Sequence, residues 1–456
     1  MIIQVGNVYS KILKCDRDEY LAFRECLTFI VQNHWFVKSF QQGIWDGKKR
    51  FFKGKSFPTG LLHLVQEAIP NILLRQTQYP TPVTVNPNIL KDKSMTGKYA
   101  FQAITVQDML NLRRGIVYNA TGSGKSSMAA AYIETMKVPT LFLTHQTELA
   151  KQTLESFKKS ITLPVGIYGG SVDNRSFVTI GMVPTISRRL KDKQVLEWLR
   201  TIKCVVVDET HLASADTFTR VLEACTNACY RFGLSGTPLD RSEIDNIKVK
   251  AQIGPVISEV RNKDLTAINV LSKPEITLVS IPALSLDGKY AEVYDTGIVN
   301  NVVRNRKIVN ITKKLLKENK SVLLLVKRVA HGEILQQMLK TQGINTAFCY
   351  GESTEEERDK GIGDIKSGKS NILIMSKIGQ TGLDVPRLDS GVYCGAGKSV
   401  IEVLQSLGRY LRNPNEGENI IQFYDFYDNT EKYLKAHSEK RKAIYEREGF
   451  TVKLDS

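Results

Sequence analysis

Two stretches of this chain bring together residue types that can handle a phosphate group. The first is NATGSGKSS, Asn119 to Ser127, in which Thr121, Gly122, Ser123 and Gly124 lead into Lys125 and Ser126. It follows the apolar run GIVY and precedes SMAAAYIETM, whose composition suits a helix. A strand, a glycine-rich turn and a helix N-terminus together form an anion cradle. Its backbone N–H groups surround phosphate oxygens, the lysine reaches the β and γ phosphates, and the serine hydroxyl ligates Mg²⁺. The G-x-x-x-x-G-K-[ST] spacing calls for glycine at Asn119, so the match departs there. The second stretch is CVVVDETH, an apolar run ending in Asp208 and Glu209. A carboxylate pair at the tip of a buried strand can hold Mg²⁺ through the first residue and position the attacking water through the second. An acidic pair in isolation can also cap a helix. Downstream of a phosphate loop, nucleotide hydrolysis is the favoured reading, with ATP and Mg²⁺ as cofactors. A third stretch, LQSLGRYLR, sets Gln405, Arg409 and Arg412 on a helical spacing, with the two arginines three apart on one face. Such groups can stabilise a transition-state phosphate by roughly 10³- to 10⁵-fold in rate. A lone R-x-x-R is also compatible with a basic face in solvent.

These loops need rigid elements behind them. Apolar, β-rich runs alternate with helical patterns through GIVYNA, TLFLTH, FVTIGM, CVVVDE and RFGLSG, and a second series runs through SVLLLV, NTAFCY, NILIMS, SGVYCG and NIIQFYDF. Alternation of this kind predicts βαβ units on parallel sheets covered on both faces. The expected fold class is α/β, with two tandem parallel-sheet domains behind a small α+β N-terminal domain; the family resemblance given below implies that both are RecA-like. The 456-residue length suits about three domains. The expected boundaries are 1–90 for the small domain and its Pro-, Asn- and Lys-rich linker, 91–265 for the nucleotide-binding domain and 266–456 for the second. The C-terminal EKYLKAHSEKRKAIYEREGF reads as a helix, with Tyr433, His437, Arg441 and Ile444 on a face docked to the last domain.

The order of motifs resembles that of superfamily 2 DExH helicases, nearest to the UvsW-type branch-migration group and then the XPB-like group. The resemblance covers roughly residues 100 to 430. It implies that Gln107, in ITVQDML, reads adenine, and that Thr147 in THQTELAKQ lies near a nucleic-acid strand, although many relatives carry arginine there. It also implies backbone contacts at Gly169, Gly170 and Thr185, in YGG and IGMVPTISR, and at Lys327 in LLLVKRVAHGEIL. His211 of DETH, with Ser235 and Thr237 of LSGTP, would couple hydrolysis to movement. SKIGQTGLDVP would contribute Thr381 to the strand, Gly382 to coupling and Asp384 to the nucleotide, and QSLGRYLR would supply the catalytic Gln405, Arg409 and Arg412.

Composition narrows the partners. Lys and Arg number 63 against 47 Asp and Glu, a formal charge of +16, which favours a polyanion through counterion release. A basic surface kept for solubility is the plainer alternative. The seven cysteines lack paired zinc spacing and suit buried thiols in a reducing cytoplasm. No secretion signal or membrane-length apolar run is present in the sequence. With no nuclease-like cluster evident, the expectation is an ATP-driven motor on DNA, acting as a monomer on branched or forked substrates. RNA or RNA–DNA hybrid remodelling is the alternative, and a non-catalytic scaffold is disfavoured by the complete hydrolytic set.

One early stretch fits none of this chemistry: GIWDGKKRFF, Gly43 to Phe52. It reads as the turn and second strand of a hairpin whose first strand is WFVKSF, after a helix carrying Tyr20, Phe23, Leu27 and Ile30 on one stripe. Strand alternation cannot bury Lys48, Lys49 and Arg50 together, which makes them candidates for phosphate contact. Trp45, Phe51 and Phe52 suit either a small core or stacking on an unpaired base. A W-D-G turn followed by P-x-G-L, here Pro58 to Leu61, also resembles the front end of UvsW-type proteins.

Overall fold

The computed structural model describes residues 1–76, 89, 95–239, 242–284, 286–351, 353–376, 389–397 and 420–455. The chain forms two compact units, Met1–Val260 and Arg261–Ser456.

The first unit opens with β1 (Ile2–Val5), β2 (Tyr9–Lys14), β3 (Thr28–Ile30), β4 (Lys48–Arg50), β5 (Ser56–Pro58) and β6 (Leu73–Gln76). Four of these form a sheet in the order β5-β2-β1-β6, while β3 and β4 make a separate antiparallel ribbon. The helix Arg17–Cys26 starts at Asp16, whose side chain accepts from Glu19 N while the Glu19 carboxylate accepts from Asp16 N. This reciprocal cap satisfies two otherwise orphaned N–H groups. Phe23 and Leu27 are fully buried, but the predicted stripe breaks after them. Thr28-Phe29-Ile30 leaves the helix for β3, and Ile30 stands 60% exposed. β-branched and aromatic side chains suit a pleated strand, and pairing with Lys48–Arg50 decides the matter. The predicted first strand WFVKSF is likewise helical, with a 3₁₀ turn at His34–Phe36 and a short helix at Lys38–Gln41. Phe51 belongs to the small core and Phe52 packs on it, whereas Trp45 is half-buried with its indole N–H donating to Lys48 O at 2.9 Å.

That core is not self-contained. Ile247 and Ala251, from the helix Glu243–Gln252, are built into it beside Leu61 and Val65. Gly60 explains the P-x-G-L pattern, because a Cβ there would lie 2.1 Å from Lys250 O and 2.5 Å from Ala251 O. Only glycine lets the two backbones approach this closely.

The larger sheet of the unit contains β7 (Arg114–Asn119), β8 (Thr140–Thr144), β9 (Val165–Gly169), β10 (Val172–Asn174), β11 (Val178–Met182), β12 (Cys204–Asp208), β13 (Tyr230–Ser235) and β14 (Val256–Val260). Its order is β10-β9-β11-β8-β12-β13-β7-β14, parallel except for β10 against β9. Adjacent residues enter opposite cores: Phe142 and Val206 face one layer, while Leu141, Leu143, Val205 and Val207 face the other. Helices therefore cover both faces, and the central strands read as unbroken apolar runs.

The second unit repeats the scheme with β15 (Lys273–Ile281), β16 (Val322–Val326), β17 (Ala347–Cys349), β18 (Ile372–Ser376), β19 (Ser390–Tyr393), β20 (Ile420–Asp428) and β21 (Thr451–Asp455), all parallel in the order β17-β18-β16-β19-β20-β15-β21. The helix Lys432–Arg447 buries Leu434, Ser438, Arg441, Ile444 and Tyr445, so its basic composition conceals a docked face. Tyr433 from the predicted face remains 45% exposed. All seven cysteines are free thiols. Among the described residues no helix is long and apolar enough to cross a membrane.

Candidate nucleotide site and strand-contacting loops

The phosphate-loop residues follow β7, and Lys125 begins the helix Lys125–Met136. Gly122 and Gly124 take φ values of 86° and 85°, in the left-handed region that suits glycine. Lys125 Nζ donates to Asn119 O at 2.9 Å and to Ala120 O at 3.1 Å. Asn119, where the motif has glycine, is buried: its Nδ2 donates to Thr105 Oγ1 at 3.4 Å and its Oδ1 accepts from Ser258 Oγ at 3.2 Å. The departure thus ties the base of the loop to the helix Ala100–Leu112 and to β14. Ser123 Oγ and Thr237 Oγ1 are buried without a hydrogen-bond partner. Gly236 approaches the loop closely, its Cβ position lying 3.2 Å from Thr121 N. Ser126 is exposed on the first turn of the helix.

Asp208 ends β12 and Glu209 follows it at φ 53°, ψ 58°. A non-glycine residue in the left-handed region costs on the order of 1 to 3 kcal/mol, and such strain concentrates where function over-determines a conformation. Glu209 N donates to Asp208 Oδ1 at 3.0 Å, and Glu209 Oε2 lies 3.3 Å from His211 Nδ1. The same imidazole nitrogen is 3.4 Å from Ser235 Oγ, which accepts from Thr237 N at 3.1 Å. His211 therefore touches both the carboxylate strand tip and the LSGTP turn. Burial pushes the Asp208 carboxyl up to about 7, and the neighbouring Glu209 charge adds to this. Burial pushes Glu209 up as well, but His211, Lys125 and His145 together outweigh it and hold that carboxyl below its ordinary range. Burial pulls the Lys125 ammonium down, against the attraction of Glu209 and Asp208. Two carboxylates pushed apart in proton affinity beside one desolvated cation form an arrangement suited to acid–base work on a phosphate.

The helix Ala100–Leu112 carries two glutamines in different surroundings. Gln107 is half-buried and donates to Asn111 Oδ1 at 2.9 Å on its own helix. The glutamine that meets the phosphate loop is Gln102, five residues earlier, buried with Nε2 donating to Ser123 O at 2.7 Å. It fills the space that a Cβ at Gly124 would need.

Residues 88–240 match the family model described as type III restriction enzyme, res subunit, and residues 306–414 match the helicase conserved C-terminal domain. The chain belongs to the superfamily 2 helicases. It is 22% identical to the ATP-dependent DNA helicase uvsW of enterobacteria phage T4, over 95% of this chain and 91% of that protein. It is also 22% identical to the DNA 3'-5' translocase XPB2 of Sulfurisphaera tokodaii, over 73% of this chain and 82% of that one. Among solved structures, Dbp5 of S. cerevisiae bound to RNA and ADP BeF3 superposes with a TM-score of 0.55 at 16% identity, over 81% of this chain and 94% of that chain. That likeness supports the fold alone.

The remaining expected residues of this helicase fall into three groups. Along the C-terminal ends of β8, β9 and β11, Thr147 begins the helix Thr147–Ser160 with Oγ1 3.9 Å from Met182 Sδ, and Gly169 packs against the same methionine. Gly170, at φ 61°, donates its N–H to the buried Thr185 Oγ1 at 3.1 Å. These four residues are thus gathered at the strand ends, where open α/β sheets bind their ligands. Lys327 is half-buried just beyond β16 in the second unit. Lys48, Lys49 and Arg50 are all exposed on β4, but Arg50 is held in an ion pair by Asp46. Thr381, Gly382, Asp384, Gln405, Arg409 and Arg412 lie outside the described residues.

Proposed function

We propose that this protein is an ATP-driven DNA motor that remodels branched DNA, unwinding forks and migrating four-way junctions, in the cytoplasm and as a monomer on its substrate. The observation that carries the reading is the convergence of phosphate loop, strand-tip carboxylates and LSGTP turn: Lys125 senses the charges of Glu209 and Asp208, and His211 joins Glu209 to Ser235. Binding alone has no use for two carboxylates of opposed proton affinity.

The residues present fit ATP with Mg²⁺. Asp208 carries a desolvated carboxyl that a cation would relieve, and the buried Ser123 and Thr237 hydroxyls offer hydrogen bonds that no described residue takes up. Asp208 and Ser126 would hold the metal, which when bound neutralises charge on the phosphates. Lys125 would leave its loop carbonyls for the β and γ oxygens. Glu209 would orient and deprotonate the attacking water, with His211 passing the change to Ser235 and Thr237. Gln102 would fix the loop through Ser123 O, in place of the adenine role expected of Gln107. Gln405, Arg409, Arg412 and Asp384 would complete the site, and Thr147, Gly169, Gly170, Thr185, Lys327 and Thr381 would line the strand path. The DNA preference draws on the phage T4 relative, which matches nearly end to end and is named a DNA helicase, and on the archaeal DNA translocase.

Branch migration also suits the energetics. Each step breaks one base-pair stack and forms another, so a gross cost of about 1.4 kcal/mol is largely returned and the motor has only to rectify the motion. The deciding measurement is ATP-dependent dissociation of a synthetic four-way junction by the purified chain. Junction dissociation with DNA-stimulated hydrolysis is the expected result. An inert junction alongside strong unwinding of RNA duplexes would replace this reading with RNA remodelling.

A further inference from the structure

The exposed aromatic residues of the N-terminal region are not those of the W-D-G stretch. Phe51 and Phe52 are spent on the core, whereas Trp35 and Phe36, on the 3₁₀ turn just upstream, stand 52% and 76% exposed. Ile30, 60% exposed, lines the same hollow as Trp35. The turn is rigidly held. His34 Nδ1 lies 2.8 Å from Val31 O, the His34 ring makes edge contacts with Trp35 and Phe40, and Gly47 packs directly on it. A stacking platform must be ordered before its ligand arrives, since ordering it on binding would cost affinity.

The hollow that Trp35 and Ile30 line measures about 360 Å³, with His34 and Glu243 among its other walls. Its rim is basic. Lys48 stands directly across the ribbon from Ile30, so both project from one face. Residues 30–55 hold six Lys and Arg (Lys38, Lys48, Lys49, Arg50, Lys53, Lys55) against one acidic residue, Asp46, which Arg50 already engages. Two exposed aromatic rings tilted 54° to each other, a hollow with one carboxylate and a lysine beside its Ile30 wall are complementary to an unpaired nucleobase on a phosphate backbone. Aromatic faces stack any base, and a carboxylate accepts from an exocyclic amino group as cytosine presents.

We propose that Trp35, flanked by Phe36, stacks an unpaired base displaced at a DNA branch point, with Glu243 accepting from its amino group and Lys48 holding an adjoining phosphate. This rests on the branched-DNA reading above. Glu243 also begins the helix that carries Ile247 and Ala251 into the small core, so the base would be gripped by both parts of the first unit.

The test uses the full chain without ATP and a four-way junction carrying 2-aminopurine either at the branch point or within an arm. Binding should quench the branch-point probe and leave the arm probe unchanged. Trp35→Ala/Phe36→Ala should weaken junction affinity by about five- to a hundredfold while duplex affinity and basal hydrolysis stay unchanged. Trp35→Phe should restore most of the loss, and Glu243→Gln should narrow any preference for cytosine over thymine at the probe's neighbour. An unquenched branch probe, or full junction affinity in a double variant that melts like the parent, overturns the proposal. So does a variant whose only change is lost self-association, which would make the patch a protein contact. If the double variant melts early, Phe36→Ala alone and the probe in the unaltered chain decide. Junction dissociation with ATP is scored separately, so failure of the motor reading is distinguishable from failure of the stacking site.

Discussion

In the second unit, Arg304 donates to Asp428 at 2.8 Å and to Cys394 O at 2.9 Å. Arg441 donates to Asp425 at 2.8 Å, and the Tyr445 hydroxyl joins the same carboxylate at 2.9 Å. Both arginines and both aspartates are fully buried. In the first unit, Asp208 and Glu209 sit side by side with one lysine that bonds to backbone carbonyls instead. Burial of charge is common to both regions; what differs is whether each charge has a dedicated opposite. The matched set raises Arg441 above its ordinary range, because Asp425 and Asp428 more than offset the effect of burial, while burial pushes the Asp428 carboxyl up against the pull of Arg304 and Arg441. The unmatched set leaves one carboxyl near 7 beside another held low, on a backbone turned into the left-handed region. Reciprocal pairing is how a fold keeps buried charge, and frustrated pairing is how a site keeps charge available for a ligand.

The contrast can be broken most sharply at Glu209. Glu209→Gln should cut hydrolysis by roughly 10²- to 10⁴-fold, measured as phosphate release, and leave the melting temperature at or above that of the parent. A stability loss comparable to the activity loss would place this carboxylate with the structural set. Arg441→Leu is the mirror experiment. Leaving Asp425 buried without its partner should cost about 3 to 5 kcal/mol in denaturant unfolding, and the surviving folded fraction should still bind nucleotide.

Titration sharpens the comparison further. The raised Asp208 carboxyl means that the folded state holds an extra proton between about pH 4 and 7, so its contribution to stability falls as pH rises. His331 in the second unit does the reverse. Burial, with Arg304 nearby, pulls its imidazole down to about 3, so the unfolded state holds the extra proton and stability rises with pH up to about 6.5. Between pH 5 and 7 each term is worth about 2 kcal/mol, with opposite signs. Measured against the parent, His331→Asn should therefore lose about that much stability from pH 5 to 7, and Asp208→Asn should gain it. Parallel slopes in the two variants would contradict the assignment.

The smallest effect concerns surface charge, where the same rule of matched and unmatched charge applies. The triple Lys48/Lys49/Arg50→Ala chain should bind junctions with a shallower salt slope. Lys48→Ala alone should remove about 0.9 from it, and Arg50→Ala less, since Asp46 already engages that guanidinium. Equal single-site slopes would show that the ion pair opens freely on DNA.

Much of the candidate site was legible because its chemistry is local. A phosphate loop needs Gly122, Gly124, Lys125 and Ser126 consecutive on one turn, and a strand-tip carboxylate pair needs Asp208 directly after apolar β12. Gln102 was missed for a different reason. Two glutamines five apart on the helix Ala100–Leu112 look alike in sequence, and only the packing phase of that helix turns the first toward Ser123. The signal available was Gln102's place inside an apolar stretch, with Ala103 and Val106 around it, against the polar Asp108 next to Gln107.

The N-terminal region shows the limit most clearly. Composition alone indicated a small domain with aromatic and basic residues to spare, and the W-D-G turn was readable from Asp46-Gly47. Whether a given aromatic is core or surface was not, because the eight aromatic residues from Phe29 to Phe57 lie on short elements that satisfy several pairings almost equally. Tertiary structure settled it by pairing Lys48–Arg50 with Thr28–Ile30, which put Phe51 inside and left Trp35 and Phe36 outside. The sequence by itself determined the reacting groups and the alternating α/β order, since both are written in contiguous residues. Which buried charges are matched, which glutamine meets the loop and which aromatics face solvent were decided by contacts between residues distant in the chain.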